Sequence, residues 1–414
     1  MRLSVHAQSF SGLVLLLAAC GGGAASGGTT PTPSEANQAP SWTERATTAY
    51  TAGEFDAAWR ASQNALQLDP ADERATEVAA RVALSRLDAD RALSALTRAH
   101  GPVLLRLRAR AYAMKQAYTD VARDLAAVDG QEPHDGWAEA MLPLSQNASP
   151  GPYFDVSGAA TAELPYQGEP AQVPIPIVAI SIHGHATHAL IATSASMTVV
   201  DDDLEGRATF LRDVAFGDMH VHSVPAFSRD LSSIENAVHM PIGAVIGTDL
   251  LLRLHATLDG PRRMLVVRTT APTIPQDSIA MPLTAFEGTL LTARAGLIDA
   301  PESFFVLDSA GGFVLALSED GVEAMHLAPA DLHDIPNSPV PSAKLVDVTT
   351  FRFGGAAIEH VPGVTGLVQP DLVRLAGTRI HGVIGAQFLN QFQMTFDTEG
   401  HAIAFHIDAP DDQG

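Results

Sequence analysis

Val245-Ile246-Gly247-Thr248-Asp249-Leu250-Leu251 and Val383-Ile384-Gly385-Ala386-Gln387-Phe388-Leu389 are two versions of one segment. Around them, further pairs keep a nearly constant offset. Phe216-Gly217 and Val224-Pro225 match Phe353-Gly354 and Val361-Pro362, and Thr257-Leu258-Asp259 matches Thr395-Phe396-Asp397. Each copy then meets a polar turn, Asp259-Gly260-Pro261 or Thr398-Glu399-Gly400, followed by a last apolar run, as a hairpin requires. Beyond Pro165, short runs of valine, isoleucine and phenylalanine alternate with glycine, proline and aspartate, so the duplicated unit is built of strands.

Upstream the texture differs. From Trp42 to about Asp129 the chain is rich in alanine, leucine and arginine, and it repeats with a period of about 34 residues. Gly53-Glu54-Phe55-Asp56-Ala57-Ala58, Ala65-Leu66 and Asp69-Pro70 resemble a tetratricopeptide repeat. Ala58 recurs as Ala92 and more loosely as Ala122, and Ala65 as Ala99, small residues that let two helices of a hairpin approach closely. Two to three helical hairpins are expected over residues 42–130. Such arrays bind other proteins, although a plain helical spacer would carry the same pattern. Residues 131–165, with Pro133, Pro143 and Pro150, read as a linker.

The single cysteine, Cys20, excludes an intramolecular disulfide and a cysteine metal cluster. It closes an apolar run, Gly12-Leu13-Val14-Leu15-Leu16-Leu17-Ala18-Ala19, that is too short to span a bilayer and reads as a secretory signal. Leu17-Ala18-Ala19-Cys20 resembles the lipobox of bacterial lipoproteins. The resemblance implies a signal peptide over residues 1–19 and a lipid on Cys20. Gly21, in place of aspartate, resembles the outer-membrane-sorted class, so a lipid-anchored place in the bacterial cell envelope is expected. Residues 20–41, rich in glycine, serine, threonine and proline, form a flexible tether. With a formal charge of −22, the chain has no cationic stripe for phosphates, which disfavours nucleic acid as a partner.

Within each copy the order is strand, turn, strand, exposed loop, hairpin, the Val-Ile-Gly segment with a short helix, and a closing hairpin. This resembles the pepsin–retropepsin superfamily of aspartic peptidases over residues 166 to 407. The resemblance implies a multi-domain chain, N-terminal helical hairpin repeats followed by an all-β, two-lobed domain, with lobe 1 at 166–275 and lobe 2 at 276–410. It also implies hydrolysis by a water held between two aspartates, one per lobe. Two carboxylates that close share a proton, so that one acts as base and the other as acid.

In the second copy, Phe305-Val306-Leu307-Asp308-Ser309-Ala310-Gly311-Gly312 puts Asp308 and Ser309 on the family's Asp-Thr/Ser-Gly loop, with Ala310 where glycine is expected. In the first, Ala189-Leu190-Ile191-Ala192-Thr193-Ser194 has Ala192 in place of the aspartate and Ser194 in place of the glycine. Asp201, Asp202 and Asp203 lie past the returning strand and read as a solvated turn. Without a partner, Asp308 is expected to ionise as an ordinary aspartate unless it is buried. The stretch from Ala192 to Gly217 is much shorter than that from Asp308 to Gly354, so any covering flap is expected within residues 318–346.

His183, His185 and His188, or His220 and His222, have spacings that can hold zinc. With no acidic pattern nearby they read as ordinary strand and turn histidines, and no metal or cofactor is expected. The first expectation is therefore a degenerate peptidase that binds a peptide or protein segment in the interlobe cleft, with Asp308 and Ser309 as polar contacts. An active peptidase using Asp308, alone or with Asp308 of a second chain, is the alternative. A helical scaffold with a structural β domain is the third.

Overall fold

The computed structural model describes residues 41–131, 135–149, 151–170, 173–201, 208–297, 300–335, 340–369, 372 and 376–407. The expected signal peptide, Cys20, most of the tether, Asp202, Asp203 and residues 408–410 lie outside the described residues. Among the described residues no helix is long and apolar enough to cross a membrane.

N-terminal helices precede a large β-rich region of curled sheets. The helices are α1 (Trp42–Thr51), α2 (Phe55–Leu68), α3 (Glu73–Ser85), α4 (Ala89–Ala95), α5 (Pro102–Met114), α6 (Tyr118–Ala126) and α7 (Gly136–Gln146). Ser41 and Glu44 form a reciprocal capping box that starts α1, and Asp72 and Asp88 cap α3 and α4. Each helix packs on the next or next but one, with Ala58 and Ala92 fully buried.

The stretch 131–165, expected as a linker, contains α7 and two strands. Pro143 removes one helical hydrogen bond, a cost of about 3 kcal/mol, but Ala138, Met141, Leu142 and Leu144 are buried on the inner face of α7. Two or three such side chains, at about 1.5–3 kcal/mol each, outweigh the proline.

In the first lobe the strands are β1 (Asp155–Gly158), β2 (Thr161–Pro165), β3 (Ile177–Ile182), β4 (His185–Ile191), β5 (Thr198–Asp201), β6 (Ala208–Leu211), β7 (Val214–Phe216), β8 (Met219–His222), β9 (Val224–Arg229), β10 (Ala244–Ile246), β11 (Thr257–Asp259) and β12 (Met264–Arg268). Helices α8 (Ser232–Val238) and α9 (Thr248–Arg253) lie between them. In the second they are β13 (Ile279–Pro282), β14 (Thr284–Phe286), β15 (Leu290–Leu297), β16 (Ser303–Asp308), β17 (Leu315–Leu317), β18 (His333–Asp334), β19 (Lys344–Phe353), β20 (Ala356–Thr365), β21 (Ile380–Gly385), β22 (Gln393–Asp397) and β23 (Ala402–His406), with helices α10 (Glu319–Ala324) and α11 (Ala386–Leu389).

The two lobes repeat one topology. The order β3-β4-β10-β5-β9 in one sheet matches β15-β16-β21-β17-β20 in the other. Even the register repeats: Leu190 pairs with Val245 and Ile191 with Ile246, as Val306 pairs with Val383 and Leu307 with Ile384, in parallel ladders. A third sheet, β13-β23-β22-β11-β12-β2, takes three strands from each lobe. At its centre β11 and β22 run antiparallel with Thr257 opposite Thr395, the two residues that the duplication aligns. Their hydroxyls lie 3.0 Å apart. Antiparallel pairing of equivalent residues is what a twofold axis between the lobes requires.

Helices α1, α2 and α3 dock on lobe 2, while α6 and α7 pack on lobe 1 around Met197, Phe210 and Phe227. Phe55 stacks on Phe304 at 5.4 Å and meets Phe286 edge-on, within one apolar cluster shared by α1, α2, α3 and the second lobe. Tyr50 donates its hydroxyl hydrogen to Ala376 O, and Thr378 to Thr51 O. At the turn between β14 and β15, Glu287, buried and with φ +52°, pairs with both Arg81 and Arg110.

Candidate functional site

Strand alternation sets which side chains reach the lobe boundary. On β16, Phe305 and Leu307 enter the central core, while Phe304 and Val306 face the cluster under the helices, so Asp308 continues the second face. On β4, Ala189 and Ile191 enter the core and Leu190 faces away, so Ala192 continues the matching face. The neighbouring strands end in Gly247 and Gly385 because the loop backbone passes over them. A Cβ on Gly247 would lie 2.7 Å from Met197 O, and one on Gly385 would lie 2.2 Å from Phe313 O.

The two loops interlock. Thr193 Oγ1 donates to Leu307 O at 2.7 Å and accepts from Ser309 N at 2.9 Å. Reciprocally, Ser309 Oγ donates to Ile191 O at 2.7 Å and accepts from Thr193 N at 3.0 Å. Each of these four contacts has its twofold counterpart, so Ala192 and Asp308 occupy equivalent places in opposed loops. Both are buried, Ala192 completely and Asp308 to 1% exposure.

Asp308 Oδ1 accepts from Ser194 Oγ at 2.7 Å and from Ala310 N at 3.0 Å. Its Oδ2 has no hydrogen-bond partner among the described residues. Burial pushes the carboxyl up to about 6, against the opposing effect of the Ser194 hydroxyl and the amides of Ala310 and Gly311. Asp308 therefore does not ionise as an ordinary aspartate. The methyl of Ala310 is buried in the same apolar cluster as Ala192, Ala195 and Ala386. The Ala192 position, equivalent to that of Asp308, thus lies among apolar groups and carries no carboxyl.

Sequence reasoning paired Asp308 with Ser309 as contacts for a ligand. Ser309 is instead spent on the loop-to-loop network, and the hydroxyl beside Asp308 belongs to Ser194 of the other lobe, which is half-buried. With one carboxyl, the site can accept or release one proton but lacks the matched acid–base pair. The segment expected to hold a flap contains α10, capped by Ser318, and the short β18–β19 pairing. Ile335, Val340 and Leu345 from this segment pack on the cluster shared with α1 and α2. Residues 336–339 lie outside the described residues.

Among the described residues the histidines do not converge on a metal site. His220 and His222 stack at 6.2 Å, and both approach Asp213, at 2.9 and 3.4 Å. His183 Nε2 accepts from Arg212 N, while His188 meets Pro241 O. Among the described residues no group of three or more His, Cys, Asp or Glu could hold a metal ion. Asp201 accepts from Leu231 N at the start of α8.

Asp249 escaped the sequence reading. It accepts from Thr198 through both oxygens, and burial pushes its carboxyl up to about 6. The available signal was the difference between Thr248-Asp249 in one copy and Ala386-Gln387 in the other.

Among solved structures, the chain is similar to a retropepsin-like aspartic protease from Rickettsia conorii, at 14% identity and TM-score 0.24, covering 31% of this chain and 90% of that one. It is also similar to an aspartic proteinase from Irpex lacteus, at 12% identity and TM-score 0.38, covering 60% and 97%. A third is Basic 7S globulin from soybean, at 12% identity and TM-score 0.38, covering 59% and 94%. No protein-family model and no curated protein matches the sequence.

Proposed function

We propose that this protein is an aspartic-peptidase-like chain that has given up ordinary peptide hydrolysis and binds an extended peptide or protein segment between its lobes. One observation carries the reading: the loops clasp each other through Thr193 and Ser309 while Ala192 stands where Asp308 would need its partner. The scaffold that orients two carboxylates is retained with only one of them. A bound segment would lie along the loops as a strand does, meeting Ser194 first with Asp308 behind it.

The reading is tested by incubating a soluble form lacking residues 1–20 and its Asp308→Ala variant with a diverse peptide mixture from acidic to neutral pH. The expected result is capture of peptides without cleavage by either protein. Cleavage that disappears in the variant would sink this reading and favour an active peptidase, for which the raised pKa of Asp308 is the supporting observation. Capture that maps only to residues 42–130 would favour the helical scaffold.

The helical pairs, with Ala58 and Ala92 at their contacts, support a tetratricopeptide-like surface for a protein partner. Leu17-Ala18-Ala19-Cys20 and the tether behind it support lipid anchoring in the bacterial envelope. Cys20→Ser should then release the protein from the membrane fraction; an unchanged distribution would refute the anchor.

A further inference from the structure

A cavity of about 540 Å³ lies where α5, α6 and α7 meet α9 of lobe 1 and the β14–β15 turn. Its volume is within the range of small-molecule sites, about 300–1,000 Å³. Asp308 is not in its wall. The body of that wall is apolar and adaptable, with Met114, Trp137, Met141, Met197 and Leu250.

Arg110, Glu287, Asp249 and Arg253 also reach the wall, and they are not equally provided for. Arg110 pairs with Asp135 and Glu287, and Glu287 also with Arg81. Asp249 accepts from Thr198 N at 3.0 Å, from Thr198 Oγ1 at 3.2 Å and from the Leu250 amide, which takes up most of a carboxylate's acceptor capacity. Arg253 is the exception. Among the described residues no carboxylate lies within ion-pair distance of it. A guanidinium carries five N–H donors. Only two acceptors meet those of Arg253: Met114 O at 3.2 Å and, with the Gln116 amide turned to donate to Tyr153 O, Gln116 Oε1 at 2.8 Å.

Its charge is underprovided too. Burial pulls the Arg253 pKa down, against the pull of Tyr118 and Asp249. Burial acts the same way on Arg81, but there Glu287 and Glu77 outweigh it and the pKa is raised. Arg253 nevertheless keeps accessible surface, being only half-buried, and that surface opens on the cavity it lines. Spare donors on a deep cation beside an apolar hollow suit a carboxylate, whose two oxygens match the guanidinium fork. Asp249 opposes an anion when ionised. Burial raises its carboxyl to about 6, however, and an arriving anion would draw a proton further onto it.

We propose that this cavity binds an apolar carboxylate, its body among Met114, Met141 and Met197 and its two oxygens on the guanidinium of Arg253. The same chemistry is presented by a free aromatic or branched acid and by the C-terminus of a peptide that ends in an apolar residue.

Three probes, 4-benzoylbenzoate, 4-benzoylbenzamide and 4-(aminomethyl)benzophenone, share one shape and differ in charge. With the full chain, the carboxylate should bind saturably, raise the unfolding temperature and, on irradiation, label Met114, Met141 or Met197. The neutral amide should bind about tenfold or more weakly, the size of a hydrogen bond to a charged group, and the cation more weakly still. Arg253→Gln should bring the carboxylate down to the level of the amide. Arg253→Lys, which keeps the charge without the fork, should retain part of the preference. If the arginine variants fail to fold, the thermal shifts of the unaltered protein decide. Equal shifts by carboxylate and amide, a larger shift by the amine, labelling confined to other residues, or a carboxylate preference that survives Arg253→Gln would overturn the inference. A peptide ending in benzoylphenylalanine, compared as free acid and as C-terminal amide, distinguishes the sources. Labelling by its free acid that exceeds that by 4-benzoylbenzoate assigns a chain terminus as occupant; the reverse order assigns a small molecule.

Discussion

At the scale of single residues, Asp308 holds the most concentrated chemistry in the chain. Its folded-state pKa of about 6 lies above the ordinary aspartate value, so the folded protein holds this proton more tightly than the unfolded chain does. The stabilising contribution is complete below the ordinary carboxylate range and is lost as pH rises through about 6. The full effect is on the order of 3 kcal/mol. Asp308→Asn should therefore stabilise the protein by roughly 1–3 kcal/mol at pH 7.5 and by little at pH 5, measured by urea unfolding at both values. Equal effects at the two pH values would mean that the carboxyl does not titrate between them. His381, which burial holds below its usual value, titrates in wild type and variant alike and drops out of the difference.

Asp308 was legible in the sequence because an apolar strand leads into it and Val383-Ile384-Gly385 lies beyond. Ser194 was not. A serine in place of glycine reads as decay of a motif, and only the meeting of two distant loops aims its hydroxyl at Asp308. Nor did the sequence disclose how deeply Asp308 lies, since that depends on the alanine methyls of both lobes.

At the scale of elements, the strands were readable from alternation and duplication, down to the glycines that let the loops cross them. The helix α7 was obscured by Pro143, because one local breaker is conspicuous while the burial that outweighs it is set by tertiary contacts. The β14–β15 turn was invisible for a related reason. Glu287 looks like an ordinary turn residue, yet it enters a buried node with Arg81 and Arg110 that fixes the helices to lobe 2. Glu287→Gln keeps the shape and removes the charge. It should destabilise the docked arrangement by roughly 1–3 kcal/mol, less than complete loss of a buried pair because Glu77 and Asp135 still attend the two arginines. Hydrogen exchange should then quicken in α3 and α5 but not in β3 or β4; uniform quickening would argue against a local clamp.

At the scale of the whole molecule, the duplication is expressed as a seam. Thr257 sits opposite Thr395, its own counterpart, so the edge that β11 offers to β22 is an edge that can recognise itself. A half-molecule of residues 151–275, parted from its twin, would be left with a self-complementary open ladder. Such a fragment should form symmetric dimers by light scattering, and Thr257→Lys, which sets like charges face to face across the new axis, should keep it monomeric. A fragment that stays monomeric without the lysine would show that the edge alone does not suffice. The full chain keeps that stickiness internal: by supplying both halves in one polypeptide, it satisfies a homodimer's contact surface without needing a second copy, and leaves each half free to differ.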